Sequence, residues 1–168
     1  MKTALVTSLA LFMGGVLTIY IFNIFINKKI SSLISDDEGS DMAVSVVKGL
    51  VFLSCSLVLL EIHSTFQILI KLWGENFIDS ELFMKEVLFF AVFLGITIIA
   101  LFTAFGFAFF TFGVIARKQS LYIEIANNNI ATSLFFGLLF LSFALIAKTS
   151  IPTILESLIP FPSSPLYR

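Results

Sequence analysis

The sequence predicts an all-α integral membrane protein. Four transmembrane helices form two tandem helical-hairpin repeats inserted in parallel, with an amphipathic interfacial helix between them. Three observations lead there. Of 168 residues, 58% are hydrophobic and only 12% are charged, against about 25% charged in soluble domains. Four continuous apolar stretches each approach the roughly 20 residues that a helix needs to cross a bilayer core. The second and fourth of these stretches are copies of one another.

The spans are expected over about 4–26, 42–60, 87–116 and 130–147. Each is continuous rather than alternating, and lipid offers no partner for an open strand edge, so helices are expected throughout. The first follows Met1-Lys2 directly. Its apolar core is too long for a signal-peptide h-region and no A-x-A-like site follows, so it reads as a retained helix. The third is longer than the bilayer requires, an excess absorbed by tilt or by a last turn extending into the headgroups.

Setting "MAVSVVKGLVFLSCSL" from Met42 over "IATSLFFGLLFLSFAL" from Ile130 gives eight identical pairs in sixteen at an offset of 88. Ser45/Ser133, Gly49/Gly137 and Ser54/Ser142 are among them. Upstream, Lys29 falls on Arg117, Ser32 on Ser120 and Asp41 on Asn129. The unit is a helix, a basic-then-polar loop and a second helix. Two spans per unit give both copies the same orientation, related by an axis along the membrane normal. The chain therefore divides into 1–63, a connection over 64–86, a second unit over 87–148, and a tail over 149–168.

The connection "STFQILIKLWGENFIDSELFMK" places Phe66, Leu69, Ile70, Trp73 and Phe77 at helical spacing. It is expected to lie on the membrane surface with Trp73 as an interfacial anchor, the alternative being an extension of span two packed on protein. In the tail, Ser150 is placed to cap a short turn opened by Pro152, and Pro160, Pro162 and Pro165 follow.

Lys28-Lys29 and Arg117-Lys118 directly follow spans one and three. The positive-inside rule then puts loops 27–41 and 117–129 in the cytoplasm and both termini outside. Lys2, Lys71, Lys85, Lys148 and Arg168 fall on the opposite side.

Small residues one turn apart let helix backbones approach closely in lipid. Ser45 with Gly49, Ser133 with Gly137, and the stripe Ala100, Ala104 and Ala108 are therefore candidate helix-packing faces, with Ala91 and Gly95 nearby. Asp41 and Asn129 each stand two residues before an alanine at a helix start and are candidate N-caps. That assignment leaves Asn127 and Asn128 as candidates for a cytoplasmic contact. It also implies that Asn129→Ala lowers stability more than Asn128→Ala. Lys48, about two turns inside span two, is either a functional contact or a side chain snorkelling to the headgroups. Asn23, near the end of span one, is a candidate for a hydrogen bond across helices.

The second unit, with Asn129-Ile130-Ala131 followed by Gly137, resembles the bacterial inner-membrane family known as domain of unknown function 350. Asp41-Met42-Ala43 followed by Gly49 matches that pattern less closely, with Asp for Asn and Lys48 where the second copy has Phe136. The resemblance implies a four-helix inner-membrane protein associated with other envelope components, and no defined activity.

Net charge is −1 and Cys55 is the single cysteine, which argues against nucleic-acid binding and excludes an internal disulfide framework. One histidine and scattered carboxylates are too few for a metal site. No nucleophile is paired with a base and no phosphate loop is present, so no catalytic residue and no cofactor are expected. The expected partners are the bilayer and other membrane subunits or a second copy. The expected function is a non-enzymatic subunit or scaffold of a membrane complex. The alternative is a small channel or transporter formed by oligomerisation, with Lys48, Asn23 and the serines 45, 54, 56, 133 and 142 as its pore-lining groups.

Overall fold

The computed structural model describes residues 2–30, 41–74, 79–116 and 120–158. Among these every regular element is helical: α1 (Lys2–Ile30), α2 (Asp41–Gly74), α3 (Asp79–Ala116), α4 (Leu121–Ala126) and α5 (Ile130–Ser157). Most of the expected loop 27–41, Arg117-Lys118 and the three last prolines lie outside the described residues.

Three helical stretches are long and apolar enough to cross a membrane: Met42–Ile68, Val87–Ala116 and Ile130–Ser157. Less than half of each is buried. Ile99, Phe110 and Ile146 instead point outward at 68%, 69% and 63% exposure. Water would not tolerate apolar surface on that scale in a monomer, whereas lipid does. The fold is all-α and of membrane type. α1 carries a shorter apolar stretch, Phe12–Lys28.

The centre of the molecule is the pair α2–α5. Asn128 meets Ala43 at one end, Leu50 packs on Gly137 further along, and Glu61 meets Lys148 beyond that. The contacts occur in the same order along both chains, so the two helices run parallel. Their middle contact depends on a missing side chain. A Cβ placed on Gly137 would stand 2.8 Å from the Cβ of Leu50, so only glycine permits this approach. Phe136, Phe140 and Ala144 are buried on the same helix.

Aromatic rings bind the other helices to this pair. Phe22 of α1 stacks on Phe102 of α3 at 4.6 Å, and Phe25 meets Phe105 edge-on at 5.4 Å. With Gly14 against Phe90 and Leu94, these contacts make α1 and α3 parallel. Phe105 touches Phe136 and Phe140 of α5, and Phe107 stacks on Phe143. Later residues of α3 meet earlier residues of α5, as with Phe112 against Phe136, so that pair is antiparallel. Edge-to-face rings add roughly 1 kcal/mol each beyond packing, a useful increment where lipid competes equally for apolar surface.

Several expectations need correction. The connection over 64–86 is not a separate interfacial helix: α2 continues through Gly74 and α3 begins at Asp79. Phe66 is buried at 3% exposure against Phe90 and Phe93. Of the five spaced residues Phe66 is the one with a described side chain, and it meets protein, a face that looks the same in sequence as a membrane-facing one. Trp73 has its backbone in the last turn of α2, and its side chain lies outside the described residues. Ser150 caps nothing. α5 runs on through Pro152 to Ser157, and the Ser150 hydroxyl donates to the Ile146 carbonyl.

Among the expected packing residues, Ser133, Gly137, Ala104 and Ala108 are buried and Ala100 is half-buried. Ser45 and Gly49 are exposed, and nothing lies within 4 Å of a Cβ placed on Gly49. The same is true of Gly95, beside an exposed Ala91. The shared Ser-x-x-x-Gly therefore packs inward in the second copy and outward in the first.

This asymmetry sets a stability test. Gly137→Ala is expected to lower stability by about 1–3 kcal/mol through overpacking. Gly49→Ala is expected to raise it by about 0.5–1 kcal/mol through reduced chain entropy. Denaturation of both variants in detergent measures the contrast.

Candidate functional site

The candidate site is the asparagine junction between α4 and α5. α4 ends as the Asn127 N–H donates to the Ile123 carbonyl at 2.9 Å and the Asn128 N–H to the Ile125 carbonyl at 3.0 Å. Asn128 has φ +56°, and among the described residues it alone of the non-glycines is positive. Asparagine tolerates this left-handed conformation better than most residues. The chain turns there, and Asn129 is the N-cap of α5.

Asn129 has the geometry of an N-cap. Its Oδ1 accepts from the Thr132 N–H at 3.1 Å, and its Nδ2 donates to Glu124 Oε2 at 2.7 Å. The Asn129 N–H also donates to the Glu124 carbonyl, so Glu124 is held by both backbone and side chain.

Asn128 does something the sequence reading did not assign. Its Oδ1 accepts from the Ala43 N–H at 3.0 Å, across 85 residues of sequence. Ala43 is the third residue of α2, and its N–H is one of the first-turn donors that a helix cannot satisfy internally. Asn128 therefore caps α2 from the other half of the molecule. Asp41, the expected cap, is the first residue of the helix itself, and its side chain lies outside the described residues. Adjacent asparagines thus cap two parallel helices. Asn127 is exposed and its side chain makes no hydrogen bond among the described residues.

At the opposite end, Lys148 Nζ lies 3.0 Å from Glu61 Oε1, both side chains about one-third exposed. In sequence Glu61 reads as a solvated carboxylate ending span two and Lys148 as one of the basic residues outside, with no pairing expected between them. The repeat carried a signal all the same, since the 88-residue offset sets Glu61 against Thr149, next to Lys148. His63 hydrogen-bonds Gln67 at 2.9 Å along its own helix. Tyr122 of α4 packs on Phe109, and burial raises its phenol pKa.

The interior hydroxyls are turned onto their own helices. Thr18 donates to the Gly14 carbonyl, Ser54 to Leu50, Thr65 to Glu61 and Thr97 to Phe93. Ser56 and Ser142 do the same on the outer surface. Ser133 is the exception: its Oγ is buried without a hydrogen-bond partner. Asn23 is half-buried with no side-chain hydrogen bond, and Lys48 is half-buried with no ion pair among the described residues.

Two lateral grooves mark the outside. One of about 510 Å³ lies between α1 and α2, lined by Phe12, Gly15, Ile19, Ser56 and His63. The other, about 520 Å³, lies between α3 and α5, lined by Ala100, Thr103, Phe107, Ala147 and Ile154. No group of three or more potential metal ligands occurs among the described residues. No family model, curated protein or solved structure matches this chain.

The junction is thus a mechanical joint, and the two asparagines should be comparable in weight. This removes the difference between them expected from sequence. Asn128→Ala is expected to cost about 1 kcal/mol or more, because it removes a cap and forces alanine into the left-handed region. Asn129→Ala should cost about 1 kcal/mol, and Asn127→Ala close to nothing. Thermal melts of the three variants measure the order. Separately, Ser133→Ala is expected to be neutral or stabilising, since it deletes an unpaired buried hydroxyl.

Proposed function

We propose that this chain is a non-enzymatic subunit or scaffold of a membrane protein complex. In this reading it crosses the bilayer four times, with α1 supplying the remaining span. The observation that carries the proposal is the closure of the interior hydroxyls. Thr18, Ser54, Thr65 and Thr97 each donate to a carbonyl of their own helix, Ser133 alone among the described buried hydroxyls is unpaired, and Phe22, Phe93, Phe136 and Phe140 are buried in the core. A solute path needs polar groups facing it through the depth of the membrane. None of the paired hydroxyls is turned that way, which favours assembly over transport through the single chain.

The parallel packing of α2 on α5 supports two parallel repeats. Contacts between Leu50 and Gly137 and between Glu61 and Lys148 both fall at an offset of 87, one residue from the offset of the sequence repeat. The basic residues after spans one and three support cytoplasmic loops and external termini. On the residues around Asn129 and Gly137 alone, we place the chain beside domain of unknown function 350, in a bacterial inner membrane. The partner-facing surface would be the α3–α5 groove, lined by Ala100, Thr103, Phe107, Ala147 and Ile154.

Purification in mild detergent separates the readings. The scaffold reading expects a stoichiometric complex with other membrane subunits and no ion flux in liposomes. A pure homo-oligomer with conductance that changes on Lys48→Ala would establish the channel instead.

A further inference from the structure

Lys48 is the one charged residue between Met42 and Leu60. It lies seven residues into α2, about 10 Å along the helix axis. An ammonium at such a depth is costly unless its charge is met or its side chain reaches the interface. Among the described residues it has no ion pair and no hydrogen bond, and it is half-exposed.

Its surroundings are open in a particular way. Ser45, Lys48 and Gly49 share one face of α2 by their i, i+3, i+4 spacing. A Cβ on Gly49 would meet no atom within 4 Å, so the absent side chain leaves an open gap, a notch without close walls, beside the lysine. Ser45 is exposed and its hydroxyl makes no hydrogen bond among the described residues, whereas Ser54, Ser56 and Ser142 bond their own helices. One cation, one free hydroxyl and one cleared space therefore converge on the lipid-facing surface. The second copy has lost the arrangement. Phe136 replaces the lysine, and Ser133 and Gly137 are buried.

We propose that the Ser45–Lys48–Gly49 notch binds the phosphate of an anionic phospholipid, with the Lys48 ammonium as counter-charge, the Ser45 hydroxyl donating to a phosphate oxygen, and the lipid glycerol region seated against Gly49. The notch opens sideways to lipid near one end of a membrane helix, where a headgroup is the nearest anion in abundance. This proposal rests on the membrane reading above. A phosphate alone would use the lysine and serine but has no use for the space at Gly49.

Native mass spectrometry of the purified protein in mixed phosphatidylglycerol and phosphatidylcholine micelles tests it. The wild type is expected to retain phosphatidylglycerol about fivefold over phosphatidylcholine, the scale of one lysine at an anionic surface. Lys48→Gln should abolish the preference. Gly49→Leu, which keeps every charge and fills the notch, should reduce it at least twofold, and excess inorganic phosphate should leave it intact. The proposal is overturned if Lys48→Gln or Gly49→Leu binds as the wild type does, or if inorganic phosphate removes the preference. Retention of neither lipid by the wild type would instead count against the membrane reading itself.

Discussion

The architecture depends on the approach of α2 to α5 at Gly137, where the side chain of Leu50 occupies the space that a Cβ would take. In lipid there is no hydrophobic gain in bringing two apolar helices together, so close packing must supply the attraction. Dispersion falls off steeply with separation, and a missing side chain at the crossing brings two backbones within range. The polar ties stand at the two ends of the pair. Asn128 meets Ala43 at one end, and Glu61 meets Lys148 at the other. Packing supplies the middle, and directional bonds fix the register.

Once that pair is set, the rest follows from shape. The buried rings of α5, Phe136 and Phe140, meet Phe105 of α3, and Phe22 of α1 lies against Phe102 on the same helix. α1 and α3 run one way, α2 and α5 the other. The α4–α5 turn then serves both members of the central pair. Asn129 caps its own helix and Asn128 caps the neighbour. A distortion of the turn would release donors on two helices at once, which gives the left-handed Asn128 a structural reason.

Much of this was legible in the amino-acid sequence, for identifiable reasons. Continuous apolar runs mark membrane helices because lipid admits few alternatives. Asn129 was legible as a cap because its partner, Thr132, is three residues away. The Asn128 bond to Ala43 was not, because no local pattern encodes a partner 85 residues distant. Facing was the other obscured quantity. In a soluble helix polar residues mark the outside, but here lipid and protein core favour the same side chains. Ser45-x-x-x-Gly49 and Ser133-x-x-x-Gly137 therefore read identically while one pair lies outside and the other inside. Phe66 was misplaced for the same reason. Pro152 misled differently: α5 carries it within its last turns, where a proline in sequence reads as a beginning.

The central claim is that α2 and α5 lie parallel and in register. Cross-linking in native membranes with a short reagent that joins two thiols tests it most directly, using paired cysteines in a Cys55→Ala background. Glu61→Cys with Lys148→Cys places thiols where two long side chains meet at their ends, 3.0 Å apart in the wild type, a span the reagent bridges. Glu61→Cys with Leu134→Cys joins opposite ends of the pair. The account predicts rapid internal cross-linking of the first combination and none of the second. Cross-linking of the second in preference to the first would show the helices to be antiparallel, and would contradict the arrangement at its foundation.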